Sequence, residues 1–396
     1  MLGGIADYSG SLVLELPLRA AALAAVQSSA DGLVVAVSGD RRIVVDVADL
    51  VGASLDGLAR GFTGRDAWAA YVLGPVALLA REERVAPTGL CLLLSSEIPE
   101  GKGVGSSAAV EIAVLQATAA CLGVTVEPRR LALFGQRAEQ IFAGAPCGAM
   151  DQLAVMHGEA GRLLALLCRP AEIVASIPLP PPLVLWGIDS GLRHAVSGST
   201  YRRVRCAAFM GKALLARDEE YLAEIDRAEV DPNMLPELLL GADFLRLRDG
   251  IDDPVSAVEP AVVYPVRAAT LFPLEEQVRV RRFMELLEQP TGNDNVRLLG
   301  DLMSKSHAGY SRCGLGVPRT DELVEAVRRV GWENGLIGAR VSGGGSGGTV
   351  VVLGREDAEP RVRAIAEELG AGLVAGSSAG AESFGVRFVP GGSGRR

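Results

Sequence analysis

The stretch of glycine and serine at residues 99–107 constrains the fold of this chain more than any other part of its sequence. It reads Pro-Glu-Gly-Lys-Gly-Val-Gly-Ser-Ser, and it separates an extended apolar run, residues 89–95, from an almost wholly apolar segment, residues 106–122. A short apolar run, then glycines, then a long apolar segment predicts a strand, a tight turn and a buried helix in that order.

The start of the predicted helix has the features of a phosphate-binding site. Gly101, Gly103 and Gly105 allow backbone conformations that a Cβ atom would forbid. A helix that begins at Ser106 and Ser107 presents unpaired N–H groups and the positive end of its dipole, and both attract phosphate. A tight turn capped by serine would have the same composition, so the segment alone leaves both interpretations open.

Two other phosphate-binding motifs do not fit the spacing. Ser106 stands where the dinucleotide-binding fingerprint needs its third glycine. Lys102 comes too early for a Walker loop, which ends in Gly-Lys followed by serine or threonine.

Length and charge exclude several classes of protein. A chain of 396 residues exceeds one ordinary core, so we expect two domains. The net charge of −9 argues against a nucleic-acid-binding protein but allows ATP, which a local dipolar site binds within an acidic protein. The six cysteines are scattered without a Cys-x-x-Cys pair, and no run approaches the ~18 apolar residues of a membrane span. We therefore expect a cytoplasmic protein with reduced thiols and no membrane partner.

The apolar pattern predicts helices and strands without strict βαβ alternation, which is typical of an α+β protein. The predicted strands lie at residues 12–16, 33–37, 42–47, 89–95, 162–168, 172–177, 183–189, 336–341, 349–353 and 384–389. The predicted helices lie at residues 66–83, 106–122, 128–143, 295–312, 321–330 and 357–369, with several more, broken by prolines, between 201 and 287.

Two further segments are candidates for a site. Residues 144–151, Gly-Ala-Pro-Cys-Gly-Ala-Met-Asp, form a loop that ends in an acid, and residues 342–348, Ser-Gly-Gly-Gly-Ser-Gly-Gly, form a second glycine loop between two predicted strands. With the glycine–serine stretch and with Asp7-Tyr-Ser-Gly near the start, these segments make the chain resemble the GHMP kinases, the family of galactokinase, homoserine kinase and mevalonate kinase. The resemblance covers nearly the whole chain and is closest to the galactokinase branch and, within it, to the L-arabinokinases.

The resemblance implies a two-domain GHMP kinase fold of the α+β class. An N-terminal, ribosomal-protein-like ATP-binding domain would span residues 1–188, and a ferredoxin-like C-terminal domain would span residues 189–396, with the active site in the cleft between them. In galactokinases, the first strand and a Gly-Arg pair whose arginine lies against the catalytic acid come upstream of the point where this chain begins. We therefore expect either a misassigned start codon or a truncated protein.

The resemblance also assigns roles on the sugar side of the site. Asp151 would be the base that takes the proton of the sugar's anomeric hydroxyl, and the alternative is a residue that caps a helix. Asp7, Gly148 and Tyr201 would bind the sugar. Without the resemblance, Asp7 would be a turn residue and Tyr201 part of an amphipathic helix.

The implied cofactors are ATP and Mg²⁺. Glu139, twelve residues before Asp151, would bind Mg²⁺ together with the hydroxyl of Ser107, since magnesium prefers one or two carboxylates, phosphate oxygens and water. A solvated position on a helix face is the alternative for Glu139. The implied ATP contacts lie in the two glycine loops: Gly101, Gly103, Gly105, Ser106, Ser107, Ala108, Gly344 and Gly345.

Gly4 and Ile5 depart from the galactokinases, which carry a Glu-His pair that reaches the sugar's outer hydroxyls. L-arabinopyranose has the ring stereochemistry of D-galactose but lacks the hydroxymethyl arm, and a buried acid without its hydroxyl partner would cost ~1–3 kcal/mol. The departure favours a pentose, so the expected reaction converts L-arabinose and ATP to L-arabinose 1-phosphate and ADP. A galactokinase, another sugar or uronic-acid 1-kinase, and a catalytically silent sensor of sugar and ATP are the alternatives. We expect a monomer or a weak homodimer.

Overall fold

The computed structural model describes residues 1–192, 199–290 and 292–389. The strands, in chain order, are β1 (Leu12–Glu15), β2 (Ala22–Ser28), β3 (Leu33–Ser38), β4 (Arg41–Asp46), β5 (Leu90–Ser96), β6 (Arg162–Leu167), β7 (Glu172–Pro178), β8 (Leu183–Asp189), β9 (Leu239–Leu240), β10 (Val263–Tyr264), β11 (Leu336–Val341), β12 (Thr349–Arg355) and β13 (Gly372–Ala375). The helices are α1 (Val47–Gly52), α2 (Leu55–Ala59), α3 (Ala70–Glu82), α4 (Ser106–Cys121), α5 (Pro128–Ala138), α6 (Met150–His157), α7 (Ser199–Leu215), α8 (Gly241–Leu247), α9 (Val266–Leu287), α10 (Asn293–Arg312), α11 (Pro318–Val330), α12 (Glu359–Glu368) and α13 (Ala381–Phe384).

The first sheet has the strand order β2-β5-β3-β4, so the strand before the glycine loop lies inside the sheet. β3 and β4 form an antiparallel hairpin, whereas β5 runs parallel to β3. A parallel pair needs a long crossover connection, and residues 47–89 supply it with α1, α2 and α3. The chain then leaves β5 through the glycine loop into α4.

Helix α4 explains why the glycine loop has a rigid support. It is apolar on nearly all sides, and such a helix is stable only when neighbours surround it. It contacts α3, α5, α6 and β2, and its buried residues Ile112, Val114, Leu115 and Ala119 belong to the apolar core that these elements share. The candidate phosphate loop is therefore anchored at one end by a helix that is packed in the core.

The C-terminal sheet has the order β11-β12-β8-β13, with each neighbouring pair antiparallel. Helices α10 and α11 pack against β11. β8 lies between β12 and β13, although the predicted boundary at residue 188 assigns most of this strand to the first domain. A third sheet, β1-β6-β7, is antiparallel throughout. The boundary itself stays a prediction.

The mixed architecture confirms the predicted α+β class, but several strands differ from the prediction. The short antiparallel pair β9 and β10 lies in a segment that was predicted to be helical. β2 was not predicted because its alanines have low strand propensity, and pairing with β5 along its whole length decides its conformation. β13 was also missed, and it pairs with β8. The predicted strand at 384–389 is wrong: α13 ends at Phe384, and Gly385 adopts a left-handed φ of 68° that breaks an extended run.

Candidate active site

The first glycine loop turns the chain from β5 into α4. Gly101, Gly103 and Gly105 have φ values of 70°, 64° and 69°, in the left-handed region that favours glycine. Gly105 caps α4 and offers no side chain to the N–H groups of the first turn, which residues 106–108 form. Those N–H groups therefore suit an anion. Ser107 lies inside the helix and not at its cap.

Asp151 lies in the first turn of α6, after the loop of residues 144–149. The cap position belongs to Ala149, and the structure shows no side-chain cap at this helix start. A Cβ atom at Gly105 would lie 3.4 Å from Cγ of Asp151. The acid and the first glycine loop, separated by more than forty residues in sequence, are therefore neighbours in space.

Asp7 lies in a short 3₁₀ turn, Gly4–Ser9, and is buried. Its Oδ1 accepts a hydrogen bond from the N–H of Tyr8 at 2.6 Å, and its Oδ2 accepts one from the N–H of Gly148 at 3.0 Å. A Cβ atom at Gly148 would collide with Oδ2, so only glycine permits this approach. Tyr201, on α7, is buried with its ring edge-on to Tyr8 at a centroid distance of 6.0 Å. The three predicted sugar contacts thus come together.

Arg205, which was not predicted as a site residue, binds the backbone of the loop that precedes Asp151. It is fully buried, one turn after Tyr201 on α7, and its Nη1 donates to the carbonyl of Pro146 at 2.8 Å. Its guanidinium also donates to both carboxylate oxygens of Asp253, at 2.8 and 2.6 Å, and lies 5.3 Å from the ring centroid of Tyr8. The available signal was an arginine four residues after Tyr201 beside an apolar run.

Glu139 begins a turn of π-helix, Glu139–Ala143, that continues α5. Only 6% of the residue is exposed, which excludes the solvated helix face considered above. Its Oε2 accepts a hydrogen bond from Nε2 of Gln152 at 2.8 Å, and the hydroxyl of Ser107 is hydrogen-bonded to the same carboxylate. The two predicted metal ligands are therefore adjacent.

A second buried acid, Glu111 of α4, shares the amide of Gln152. Its Oε2 accepts a hydrogen bond from Nε2 of Gln152 at 3.1 Å, and the residue is fully buried. The amide therefore bridges the carboxyl groups of Glu111 and Glu139. Neither Glu111 nor Gln152 was predicted as a site residue, although a single acid in the apolar run of α4 was a visible signal.

Burial dominates the electrostatics of these acids. It raises the pKa of Asp7 to about 6, against the opposing charge of Arg205. It raises the pKa of Asp151 to about 8, and the carboxylates of Glu15, Glu139 and Asp7 add to that shift. Burial also raises the pKa of Glu139. A cation bound among these groups would relieve the cost of their ionisation.

The second glycine loop connects β11 to β12 and packs against the first. Oγ of Ser342 donates to the carbonyl of Gly103 at 3.2 Å, and a Cβ atom at Gly343 would lie 3.0 Å from the same carbonyl oxygen. Gly344 and Gly345, the predicted ATP contacts of this loop, are buried, and Gly345 packs toward the end of α10. Ser342 and Gly343 therefore bring the second loop into contact with the first.

Tyr310, also missed, connects the two ends of the site. Its hydroxyl donates to the carbonyl of Gly343 at 2.6 Å and accepts a hydrogen bond from the N–H of Ile5 at 2.9 Å. A Cβ atom at Gly4 would collide with that hydroxyl. Position 4 therefore requires glycine, because a larger side chain would clash with Tyr310.

Open space reaches the acid and both glycine loops. A groove of about 1270 Å³ is lined near the acid by Asp151, Gly103, Gly105, Ser342 and Gly343. The residues that the structure describes contain no group of three or more histidine, cysteine or acidic side chains arranged for a metal ion. Magnesium held by one or two side chains and phosphate oxygens does not need such a group. Among the described helices, none combines the length and apolar character required to cross a bilayer.

Family comparisons match both halves of this site. Residues 70–159 match the N-terminal domain of the GHMP kinases, and residues 283–372 match the GHMP kinase C-terminal domain. The first match contains the first glycine loop, Glu139 and Asp151, and the second contains the second glycine loop. The chain belongs to the GHMP kinase family.

Within this family, the chain is similar to two curated sugar kinases. It is 36% identical over 436 residues to the L-arabinokinase of Arabidopsis thaliana, across 90% of this chain and 42% of that protein. It is 28% identical over 356 residues to the galactokinase of Roseiflexus sp. (strain RS-1), across 89% of this chain and 80% of that protein. The chain thus spans less than half the length of the L-arabinokinase.

Solved structures confirm the predicted fold. The crystal structure of Lactococcus lactis galactokinase complexed with galactose superimposes with a TM-score of 0.77, at 20% identity, over 96% of this chain and 91% of that one. A mevalonate kinase crystal structure gives a TM-score of 0.59, at 14% identity, over 96% of both chains. At these identities the likeness shows the GHMP kinase fold alone.

Proposed function

We propose that this chain is an ATP-dependent sugar 1-kinase that transfers the γ-phosphoryl group of ATP to the anomeric hydroxyl of L-arabinose. The observation that carries the proposal is the contact between Asp151 and Gly105, where a Cβ atom would come within 3.4 Å of the carboxyl carbon. Phosphoryl transfer depends on positioning and charge stabilisation. An acid beside a phosphate loop is the arrangement that such a transfer needs.

The sugar would bind on the side of Asp7, Gly148 and Tyr201. Two backbone N–H groups fix the carboxylate of Asp7, at 2.6 and 3.0 Å. An ionised carboxylate has about four lone-pair sites, so it retains the capacity to accept hydrogen bonds from sugar hydroxyls. The N–H of Gly148 donates to Asp7. This bond fixes the position of the proposed sugar contacts relative to the loop that ends at Asp151.

Asp151 would take the proton of the anomeric hydroxyl as that oxygen attacks the γ-phosphorus. Burial and neighbouring carboxylates raise its pKa to about 8. A general base works best when its pKa lies near the operating pH, because it is then both basic and partly ionised. The environment of Asp151 therefore suits proton abstraction near neutral pH.

The triphosphate would bind to the first glycine loop and the first turn of α4. Gly101, Gly103 and Gly105 bring the backbone close, and no side chain caps the N–H groups of residues 106–108 at the helix start. Gly344 and Gly345 would complete the nucleotide site from the second loop.

Ser107 and Glu139 fit Mg²⁺ because a hydroxyl and a carboxylate lie together, and burial raises the pKa of that carboxyl group. When bound, the ion would neutralise charge on the phosphate oxygens. Gln152 would orient Glu139, since its amide already donates to Oε2 of that residue at 2.8 Å.

The choice of a pentose rests on Gly4 and Ile5. Ile5 is buried in an apolar group of side chains, and the hydroxyl of Tyr310 occupies the space beside Gly4 where a larger side chain would extend. A polar pair directed at a hydroxymethyl group would have to displace this packing. These contacts support L-arabinose over D-galactose.

The test is an assay of ADP release over a panel of pentoses, hexoses and uronic acids. We expect a higher kcat/KM for L-arabinose than for D-galactose. A preference for galactose or a uronic acid would show that the proposed substrate is wrong, although the protein would still be a sugar 1-kinase. Binding of sugar and ATP without ADP release on any member of the panel would indicate the silent sensor instead.

All six cysteines are free, which supports a reducing compartment such as the cytoplasm. We propose a monomer or a weak homodimer, and light scattering at several protein concentrations would test it.

A further inference from the structure

The side chain of Lys102, in the middle of the first glycine loop, has a defined partner. Its ammonium lies 3.1 Å from Oδ1 of Asp189, and the two side chains are only 17% and 18% exposed. Asp189 is the last residue of β8, and the N–H of Gly191 donates to the same oxygen at 2.9 Å. The C-terminal sheet therefore fixes the carboxylate that receives the lysine.

The backbone of Lys102 is bound by the same sheet. The hydroxyl of Thr349 donates to the carbonyl of Lys102 at 2.9 Å. Thr349 and Asp189 are direct partners in the antiparallel pair of β12 and β8. One cross-strand pair therefore contacts Lys102 twice, once at its carbonyl and once at its ammonium. Ser342 binds the next carbonyl, that of Gly103, at 3.2 Å.

We propose that Lys102 and Asp189 form an interdomain clamp that positions the first glycine loop for phosphate, and that Lys102 is a positioning residue and not a phosphate ligand. The proposal rests on the nucleotide-binding function proposed above. Glycines give the loop conformational freedom, and ordering free backbone on binding costs affinity. A loop that is already held by the opposite sheet avoids that cost.

The opposing role is a lysine that leaves Asp189 when phosphate arrives. The two roles predict opposite effects of Asp189→Asn, which keeps the shape of the side chain and removes its charge. In a clamp, the change loosens the loop and weakens nucleotide binding. For a phosphate ligand, the change releases the ammonium and tightens nucleotide binding.

The test measures the Kd of ADP and of the non-hydrolysable analogue AMP-PNP by titration calorimetry. The variants are Lys102→Met, Asp189→Asn, their combination, and the charge-swapped Lys102→Asp/Asp189→Lys. We expect each single change to weaken both ligands about fivefold, the low end of coupling between two sites. The combination should be no weaker than the worse single variant, because both changes break one interaction, and the swapped pair should recover most of the loss.

Tighter binding by Asp189→Asn, or losses that add in the combined variant, would overturn the clamp. The matched control is Arg41→Gln, which removes an exposed ion pair to Glu100, two residues before Lys102, with a distance of 3.2 Å. We expect no change of Kd in the control, because exposed pairs contribute little.

Hydrogen exchange without nucleotide separates this proposal from the proposed function. Amides of residues 100–108 should exchange faster in Lys102→Met and Asp189→Asn than in the wild type or Arg41→Gln. If the wild type binds neither nucleotide, the proposed function is wrong. The exchange rates would still test the clamp, because they are measured without nucleotide. Unchanged exchange in both clamp variants would refute it.

Discussion

Buried acids are stabilised differently in two regions of this protein. In the C-terminal half, arginines bind them: Arg205 donates to Asp253 at 2.6 and 2.8 Å, and Arg279 donates to Glu276 at 2.6 Å. Around the candidate site, neutral amide groups bind them. Backbone N–H groups bind Asp7, and the side-chain amide of Gln152 bridges the carboxyl groups of two glutamates.

The pKa values follow this difference. Burial alone would raise the pKa of Asp253, but the hydrogen bonds and charge of Arg205 outweigh it and hold that pKa below its usual value. At the site, burial raises the pKa of Asp7 to about 6 and that of Asp151 to about 8, and it raises the pKa of Glu111 well above its usual value.

The acids in the C-terminal half therefore stabilise the fold, whereas those around the candidate site are available to a ligand. A buried ion pair satisfies its own charges, and its loss leaves one of them uncompensated. Acids with raised pKa values in a cleft are candidates for function, because substrate or a cation supplies what the protein does not. Substitutions of these acids or their partners should therefore mainly affect turnover at the candidate site and mainly affect stability in the C-terminal half.

The largest expected effect is on turnover. Asp151→Asn keeps the shape of a site acid and removes its basicity, so kcat for sugar phosphorylation should fall by ~10²–10⁴-fold, the usual contribution of a general base. Sugar affinity should change far less, because an amide still hydrogen-bonds a hydroxyl. ADP release and sugar binding are the two measurements.

The matched control is Asp294→Asn. Asp294 is the second residue of α10, just as Asp151 is the second residue of α6, but the side chain of Asp294 is exposed. Its variant should keep normal turnover. An Asp151→Asn protein that retained more than about a tenth of the wild-type rate would fall outside the general-base range and remove Asp151 from that role.

The next effect is on stability in the paired region. Arg205→Met leaves the buried carboxylate of Asp253 without its partner, and the free energy of unfolding should fall by ~3–5 kcal/mol, as breaking such pairs does. The double variant Arg205→Met/Asp253→Leu removes both charges and should regain part of that loss. Urea unfolding measures both. A double variant less stable than the single would contradict the account of Asp253 as a paired structural acid.

The sequence predicted the local parts of the site better than its supports. The first glycine loop, its helix and the acid-containing loop were found because glycine spacing and apolar periodicity are local signals. Arg205, Tyr310 and the partner of Lys102 were not found, because each acts on a segment far away in the chain. β2 was missed for the same reason, since its pairing with β5 outweighs the propensity of its alanines.

The pH dependence of stability should separate the two kinds of acid. The folded protein keeps the proton of Asp151 up to about pH 8, whereas the unfolded chain releases it near its usual pKa of 3.8. Asp151 therefore favours folding at low pH, and this contribution is lost as the pH rises through that window. Asp253, with a lowered pKa, contributes above its usual pKa and loses that contribution as the pH falls.

Urea unfolding over this pH range measures the two contributions. Asp151→Asn should flatten the fall in stability between about pH 4 and about pH 8 and should be more stable than the wild type at the upper end. Asp253→Asn should instead flatten the loss of stability in acid. Identical profiles for the two variants would remove the distinction between the regions.

The smallest expected effects come from replacing two serines that are hydrogen-bonded to buried glutamates. Ser107 is hydrogen-bonded to Glu139 at the site, and Ser306 donates to Glu276 in the C-terminal half. Gly105, and not Ser107, caps α4, so neither Ser107→Ala nor Ser306→Ala removes a helix cap. Each should cost about 1 kcal/mol of stability, the net worth of one hydrogen bond. Only Ser107→Ala should also raise the KM for Mg·ATP and reduce the gain that Mg²⁺ gives to ADP binding, since only its hydroxyl adjoins the proposed metal site. Equal Mg²⁺ dependence in the two variants would assign Ser107 to the fold and not to the metal.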